Sequence, residues 1–203
     1  MDPTPYPPPL EALRPRCEVR DYGKGCAVFR QGDPASAVFY LLDGEVHLLR
    51  NSPDGGTVIL HRALPRGFFA EASLNTERYH CTALCVRPSR VLVLPRNVLR
   101  RQLEHDSAFA LDWVSGLCTE LRRQRSTVER LQLRGAEARI RHYLLTEGDA
   151  AGGLELRCTL SHWADLLGLT RETLYRTLAR MEARGELDRS GKRLQLTKGS
   201  EPV

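Results

Sequence analysis

The sequence predicts an α+β chain in three parts: an N-terminal antiparallel β domain, a long helix, and a C-terminal winged helix-turn-helix. Three patterns carry this expectation. Residues 160–187 read as two short helices joined by a tight turn, with a hairpin after them. Residues 103–133 lose all turn signals and repeat apolar side chains at alternating spacings of three and four. Between residues 17 and 94, short apolar runs are punctuated by Gly, Pro, Asp and Asn, the rhythm of an antiparallel barrel or sandwich.

Residues 1–16, with Pro3, Pro5 and Pro7 to Pro9, predict an extended or disordered lead-in, because proline fixes φ and removes a backbone donor. The β domain is assigned to residues 17–102, with runs at 27–29, 38–42, 45–49, 57–61 and 90–94. The turns between them are chemically explicit. Gln31-Gly32-Asp33-Pro34, Asp43-Gly44, Ser52-Pro53-Asp54-Gly55-Gly56 and Pro65-Arg66-Gly67 offer the positive or preset φ that jelly-roll hairpins need.

Residues 103–134 are assigned to a dimerisation helix. Val114, Leu117, Leu121, Gln124, Val128 and Leu131 form a heptad seam flanked by Arg122, Arg123, Arg125, Glu129 and Arg130. Packing of this helix on its own barrel is one reading; a partner helix, most simply in a parallel homodimer, is the other. Gln124 would fix register on such a seam at some cost in stability, or else face solvent.

Residues 135–203 form the predicted DNA-binding domain, entered through a helix at 136–145. In the first helix of the motif Ser161 is the expected N-cap, Trp163, Leu166 and Leu167 recur at helical spacing, and Gly168 supplies the exit. Thr170 caps the second helix, whose Leu174, Leu178 and Met181 share a buried stripe. Arg171, Glu172, Tyr175 and Arg176 are left facing outward, in the positions that enter a major groove. Arg pairs bidentately with guanine O6 and N7, and Glu accepts from cytosine N4, so these side chains suit direct base readout. An amphipathic helix pair with a solvated charged face has the same pattern. The alternating run 187–196 around Ser190-Gly191-Lys192 favours DNA, since it reads as a wing with a cation at its tip. Two-fold symmetry would then require a pseudo-palindromic operator with half-sites about one helical turn apart.

The formal charge of +5 favours a polyanionic partner only weakly. No apolar run approaches the roughly 18 residues that span a bilayer, and the N-terminus lacks the basic-then-apolar order of a signal peptide, so a cytoplasmic protein without membrane contact is expected. The six cysteines, Cys17, Cys26, Cys81, Cys85, Cys118 and Cys158, show neither a CxxC pair nor zinc-ligand spacing, which predicts reduced thiols. No phosphate-cradling loop with a following Lys, nucleophile elbow or HExxH helix occurs, and no catalysis is expected.

With β domain, seam helix and wing in this order, the whole chain resembles the Crp/Fnr superfamily of bacterial transcription regulators. The likeness rests on Val28-Phe29-x-Gln31-Gly32-Asp33, Phe39-Tyr40-Leu41-Leu42-x-Gly44-x-Val46 and Gly67-Phe68-Phe69-Ala70-Glu71. It implies a jelly-roll barrel of the cyclic-nucleotide-binding kind, a homodimer, double-stranded DNA as ligand, and RNA polymerase as a partner. The segment Thr170-Arg171-Glu172-Thr173-Leu174-Tyr175-Arg176 is similar to the recognition helix of the cyclic-AMP receptor branch, where Arg, Glu and Arg read a TGTGA-like half-site. Tyr175 stands where that branch has Gly.

The resemblance also frames the effector. Cyclic-nucleotide-binding members hold the ribose with Gly-Glu-Leu and the cyclic phosphate with Arg-Ser; here these read Ala70-Glu71-Ala72 and, by ungapped count, Tyr79-His80. Cyclic-nucleotide binding is therefore not expected. Arg78 is one residue away, and on a strand a one-residue slip turns a side chain to the opposite face. The effector-pocket candidates are Glu71, Ala72, Tyr79, His80 and Cys81, and the cofactor stays open. An iron–sulfur cluster normally takes four Cys, against the two N-terminal ones, Cys17 and Cys26. Cys81 and Cys85 would lie roughly 13 Å apart on a strand, too far for a disulfide without a bulge, and suit buried small hydrophobes. Haem ligation by His80, Cys81, His47 or His61, oxidation of Cys81, Cys85 or Cys118, and activity without a ligand remain. In each case barrel chemistry would bias the seam and so rotate the winged helices. The other functional class is a ligand-, haem- or redox-sensing module that acts through protein partners while its winged helix is inert.

Overall fold

A computed structural model describes residue 10 and residues 13–51, 55–149, 151–156 and 158–197. The first three residues of the turn expected at 52–56 lie outside these. The chain divides into two compact units, Met1–Val114 and Ser115–Val203.

Among the described residues, the first unit contains eight strands: β1 (Glu18–Tyr22), β2 (Ala27–Phe29), β3 (Ala37–Asp43), β4 (Val46–Asn51), β5 (Thr57–Ala63), β6 (Phe68–Phe69), β7 (Thr82–Cys85) and β8 (Ser89–Pro95). They form two antiparallel sheets in the orders β1-β8-β3-β6 and β2-β7-β4-β5. Apart from the hairpin β4-β5, successive strands of the chain go to opposite sheets, which is the double-sheet jelly roll the turns predict. Phe29, Phe39, Leu41, Val46, Leu48, Phe69, Tyr79, Cys81 and Cys85 fill the space between the sheets.

Strand β3 is apolar almost throughout because both its faces are covered. Ala37, Phe39 and Leu41 point into the barrel, while Val38, Tyr40 and Leu42 join Leu92, Leu94, Leu99 and Phe109 in a second cluster on the outer face. Leu10 and Leu13 belong to that outer cluster and are 1% exposed. The prolines at 3–9 lie outside the described residues, but the end of the expected lead-in is not free of the fold: Leu10 and Leu13, three apart, find apolar cover on β3 and β8. A single 3-10 turn, Arg14–Arg16, leads from them into β1.

Helix α1 (Arg96–His105) is separated from α2 (Ser107–Gln132) by Asp106, whose extended backbone ends the first helix and whose carboxylate accepts the Phe109 N–H at 3.0 Å. The seam helix therefore starts at Ser107; residue 103, its expected start, lies in α1. Asp106 acts as an N-cap that the apolar repeat does not register.

The second unit continues through α3 (Ala136–Glu147), β9 (Gly153–Glu155), α4 (Leu160–Leu166), α5 (Arg171–Ala183), β10 (Leu187–Ser190) and β11 (Arg193–Leu196), with a sheet of order β10-β11-β9. Its core gathers Ile140, Leu144, Trp163, Leu167, Leu174, Leu178, Met181, Leu187 and Leu194. All six cysteines are free thiols, and among the described residues no helix is long and apolar enough to cross a membrane.

Candidate nucleic-acid interface

Helices α4 and α5 are built around one tight turn. Thr159, rather than the expected Ser161, caps α4 by accepting the His162 N–H at 3.2 Å; the helix starts two residues earlier than an N-cap at Ser161 implies. At the turn Gly168 has φ +62°, and a Cβ there would lie 2.8 Å from Leu131 Cδ2. The left-handed conformation favours glycine there, and a Cβ would also displace the tip of the Leu131 side chain. Thr170 then caps α5: its hydroxyl accepts the Thr173 N–H at 3.2 Å and donates to the Thr173 hydroxyl at 2.9 Å. Thr170 and Thr173, both expected at the DNA, thus bond each other and fix where α5 begins.

On α5, Leu174, Thr177, Leu178 and Met181 are buried, which turns Arg171, Glu172, Tyr175 and Arg176 to solvent. The two pairs are four residues apart and share one face over the first turns. Tyr175 is 50% exposed. Glu172 and Arg176 lie 3.4 Å apart, an exposed pair that contributes little stability but biases both side chains along the helix axis. The result is an exposed row of two guanidiniums, a carboxylate and a phenol.

Strands β10 and β11 pair through Ser190↔Arg193, closing the wing with Gly191 at φ +61° and an exposed Lys192 at the tip. Strand β9 adds a third strand through Leu154↔Leu194, which braces the wing against the helices.

The residues of the expected seam lie along α2. Val114, Leu117, Leu121, Val128 and Leu131 are 42–57% exposed on α2, and Gln124 donates to Glu120 at 2.6 Å. Arg130 departs from expectation. It is 2% exposed, held 3.5 Å from Glu147 and 4.5 Å above the Tyr143 ring, so it faces α3 and does not flank the seam. Glu129 turns the same way, to His142 at 3.2 Å.

The effector candidates are dispersed. Tyr79 and Cys81 are buried in the barrel core, while His80 between them is exposed and accepts from Arg50 Nε through its carbonyl at 3.2 Å. Glu71 and Ala72 form a 3-10 turn behind Ala70, which keeps φ +66° without being glycine. Arg78 donates to the Gly32 carbonyl at 2.7 Å at the surface. Burial pushes the Cys81 and Cys85 thiols up, which disfavours the reactive thiolate. His47 is bonded to Glu45 at 2.7 Å, and among the described residues no three His, Cys, Asp or Glu side chains cluster as metal ligands.

Sequence reasoning passed over one set of residues near the interface. Glu137 at the start of α3 is bonded to Arg141 and Arg184, both of which also reach Glu186, so ion pairs fasten α3 to the end of α5. Charges scattered over 50 residues leave no local signature.

Residues 19–106 match the cyclic nucleotide-binding domain family, and residues 138–198 match the Crp-like helix-turn-helix domain family. The chain is 26% identical over 194 residues to the CRP-like cAMP-activated global transcriptional regulator of Mycobacterium tuberculosis, covering 92% of this chain and 87% of that one. Among solved structures it is similar to FixK2 of Bradyrhizobium japonicum, with 25% identity, a TM-score of 0.66, and coverage of 90% and 93%. It is also similar to DNR of Pseudomonas aeruginosa, with 30% identity, a TM-score of 0.53, and coverage of 97% and 89%. A jelly roll and a winged helix-turn-helix, joined in the same order as in these relatives, make this chain a member of the Crp/Fnr superfamily of transcription regulators.

Proposed function

We propose that the protein works as a homodimer on a pseudo-palindromic operator with TGTGA-like half-sites. Arg171 and Arg176 would take guanines, Glu172 a cytosine, and Lys192 a phosphate beside the groove. The observation that carries this reading is the split of α5 into a fully buried stripe and an exposed Arg171-Glu172-Tyr175-Arg176 face behind a hydrogen-bonded Thr170 cap. Tyr175 adds a contact that a glycine would not make, with a thymine methyl or the sugar-phosphate backbone as its targets. The exposed apolar row on α2 supports dimerisation, since five large side chains at heptad spacing are costly to leave in water.

The barrel would act as the regulatory part, biasing how the seams pack, with RNA polymerase as the partner of the DNA-bound dimer. The cyclic nucleotide named for the M. tuberculosis relative is not carried over, because Tyr79 occupies the core where the phosphate ligands would be sought. The test is selection of bound duplexes from a random library, followed by titration of the selected sequence. Recovery of an inverted repeat with TGTGA-like arms supports the reading; recovery of no sequence preference overturns it and favours a module acting through proteins.

A further inference from the structure

The seam helix α2 and helix α4 end on the same side chain. Arg139, in the first turns of α3, donates from Nη2 to the Leu131 carbonyl and from Nε to the Leu133 carbonyl, both at 3.1 Å. The same guanidinium donates from Nη1 to the carbonyls of Leu167 at 3.2 Å and Gly168 at 3.1 Å. The first pair lies at the C-terminus of the seam helix and the second at the C-terminus of α4, in the turn that leads into the reading helix. Carbonyls at a helix end have no partner within the helix and carry the negative end of its dipole, so one cation between two such ends satisfies both. The side chain of Leu131 also sits against Gly168, where a Cβ would be 2.8 Å from it.

Between these points the backbone passes through Gly135, at φ +89°, a natural place for a hinge. Arg139 bridges it from the far side. Arg130 with Glu147 and Tyr143, and Glu129 with His142, tie α2 to α3 further along. We infer that Arg139 is a positioning residue for operator recognition: it locks the seam helix to the helix-turn-helix across Gly135, so that dimer packing sets the separation of the two reading helices. No contact to DNA is required of it, and Lys cannot replace it fully, since one ammonium lacks the planar fork that serves four carbonyls.

The inference rests on the dimeric DNA-binding reading, and the experiment separates the two. Full-length parent, Arg139→Gln and Arg139→Lys are titrated with the selected operator, with the same operator carrying one inserted base pair between its arms, and with a single arm. The parent should prefer the native spacing by about tenfold, within the usual range for coupled sites. Arg139→Gln should bind the single arm within about twofold of the parent yet lose most of that spacing preference, with Arg139→Lys between them. Equal discrimination by all three proteins overturns the inference, as does a parallel loss of single-arm binding in both variants, which marks a merely structural residue. A parent indifferent to spacing overturns the dimeric reading itself, before any variant is compared. The Lys variant carries the test if the Gln variant does not fold.

Discussion

The ring of Tyr79 lies on that of Phe29, with centroids 3.8 Å apart and planes 20° from parallel. Its hydroxyl donates to the Ala37 carbonyl at 2.8 Å and accepts the Ala37 N–H at 3.0 Å. The pairing of β3 with β6 explains why. Strand β6 ends at Phe69, opposite Phe39, so no strand residue reaches the polar groups of Ala37 on that side. One phenol replaces the missing ladder, and burial pushes its pKa up. Tyr79→Phe keeps the stack and strands two buried backbone groups, so it should cost about 1–3 kcal/mol in urea unfolding of the barrel. An unchanged midpoint would show that water satisfies Ala37 equally well.

The same placement predicts indifference to cyclic AMP. A cyclic phosphate needs a cation inside the barrel, whereas Arg78 is spent on the Gly32 carbonyl at the surface, and Arg96 on the carbonyls of Ala35 and Thr76. Millimolar cyclic AMP should leave operator affinity unchanged and give no calorimetric binding heat. A saturable heat, or tighter operator binding, would contradict this.

On the reading helix, Arg171→Ala and Arg176→Ala should each cost about 1–3 kcal/mol on the selected operator and relax base choice at one position. Lys192→Ala should instead weaken all sequences alike and reduce the salt slope by about one. Titration across a panel of single-base operator variants at several salt concentrations distinguishes the two patterns.

Legibility in the sequence followed how local each cause was. The apolar run of β3, the Thr170 cap and the Gly191 turn are written in adjacent residues and were expected where they are found. Strand β1, EVRDY, carries three charges and holds an edge position by backbone pairing to β8, so composition gives no sign of it. Strand β6 is two residues long. Arg130 shares the polar composition of the seam's flanks, and only the presence of α3 against it decides that it is buried. The Arg139 bridge is the least legible of all, because its four acceptors are backbone carbonyls, which every residue possesses, up to 29 positions away.

The heptad phase of α2 makes an orientation-specific prediction. With Val114, Leu121 and Val128 at one seam position and Leu117, Gln124 and Leu131 at the other, Glu120 and Arg125 flank the seam as the g and e positions. In a parallel, in-register dimer Glu120 meets the partner subunit's Arg125. Glu120→Arg or Arg125→Glu alone should weaken dimerisation by about 0.5–1 kcal/mol at low salt, and the double exchange should restore it. Sedimentation equilibrium measures this. Additive losses in the double variant would place the two residues apart and exclude that register.

Glu137 gives the DNA-binding unit an acid-sensitive joint. Its carboxylate lies 2.5 Å from Arg184, 3.3 Å from Arg141 and 3.8 Å from Arg180, and it stands in the first turn of α3, where a negative charge also suits the helix dipole. The hydrogen bond from Arg184, reinforced by that from Arg141, holds its pKa below the usual carboxylate range. A carboxylate with a lowered folded pKa stabilises fully above its unfolded value, about 4.3, and that contribution vanishes as pH falls through the folded value. Glu137→Gln should therefore destabilise the unit by about 1 kcal/mol at pH 7, the upper end for a partly exposed network. The gap between parent and variant should hold down to about pH 5 and close below about pH 4. Urea unfolding followed by Trp163 fluorescence in a Trp113→Phe background reads this unit alone, since Trp163 lies in its core and Trp113 packs in the barrel unit. A gap that stays constant down to pH 3 would assign the loss to packing and remove the charge from the explanation.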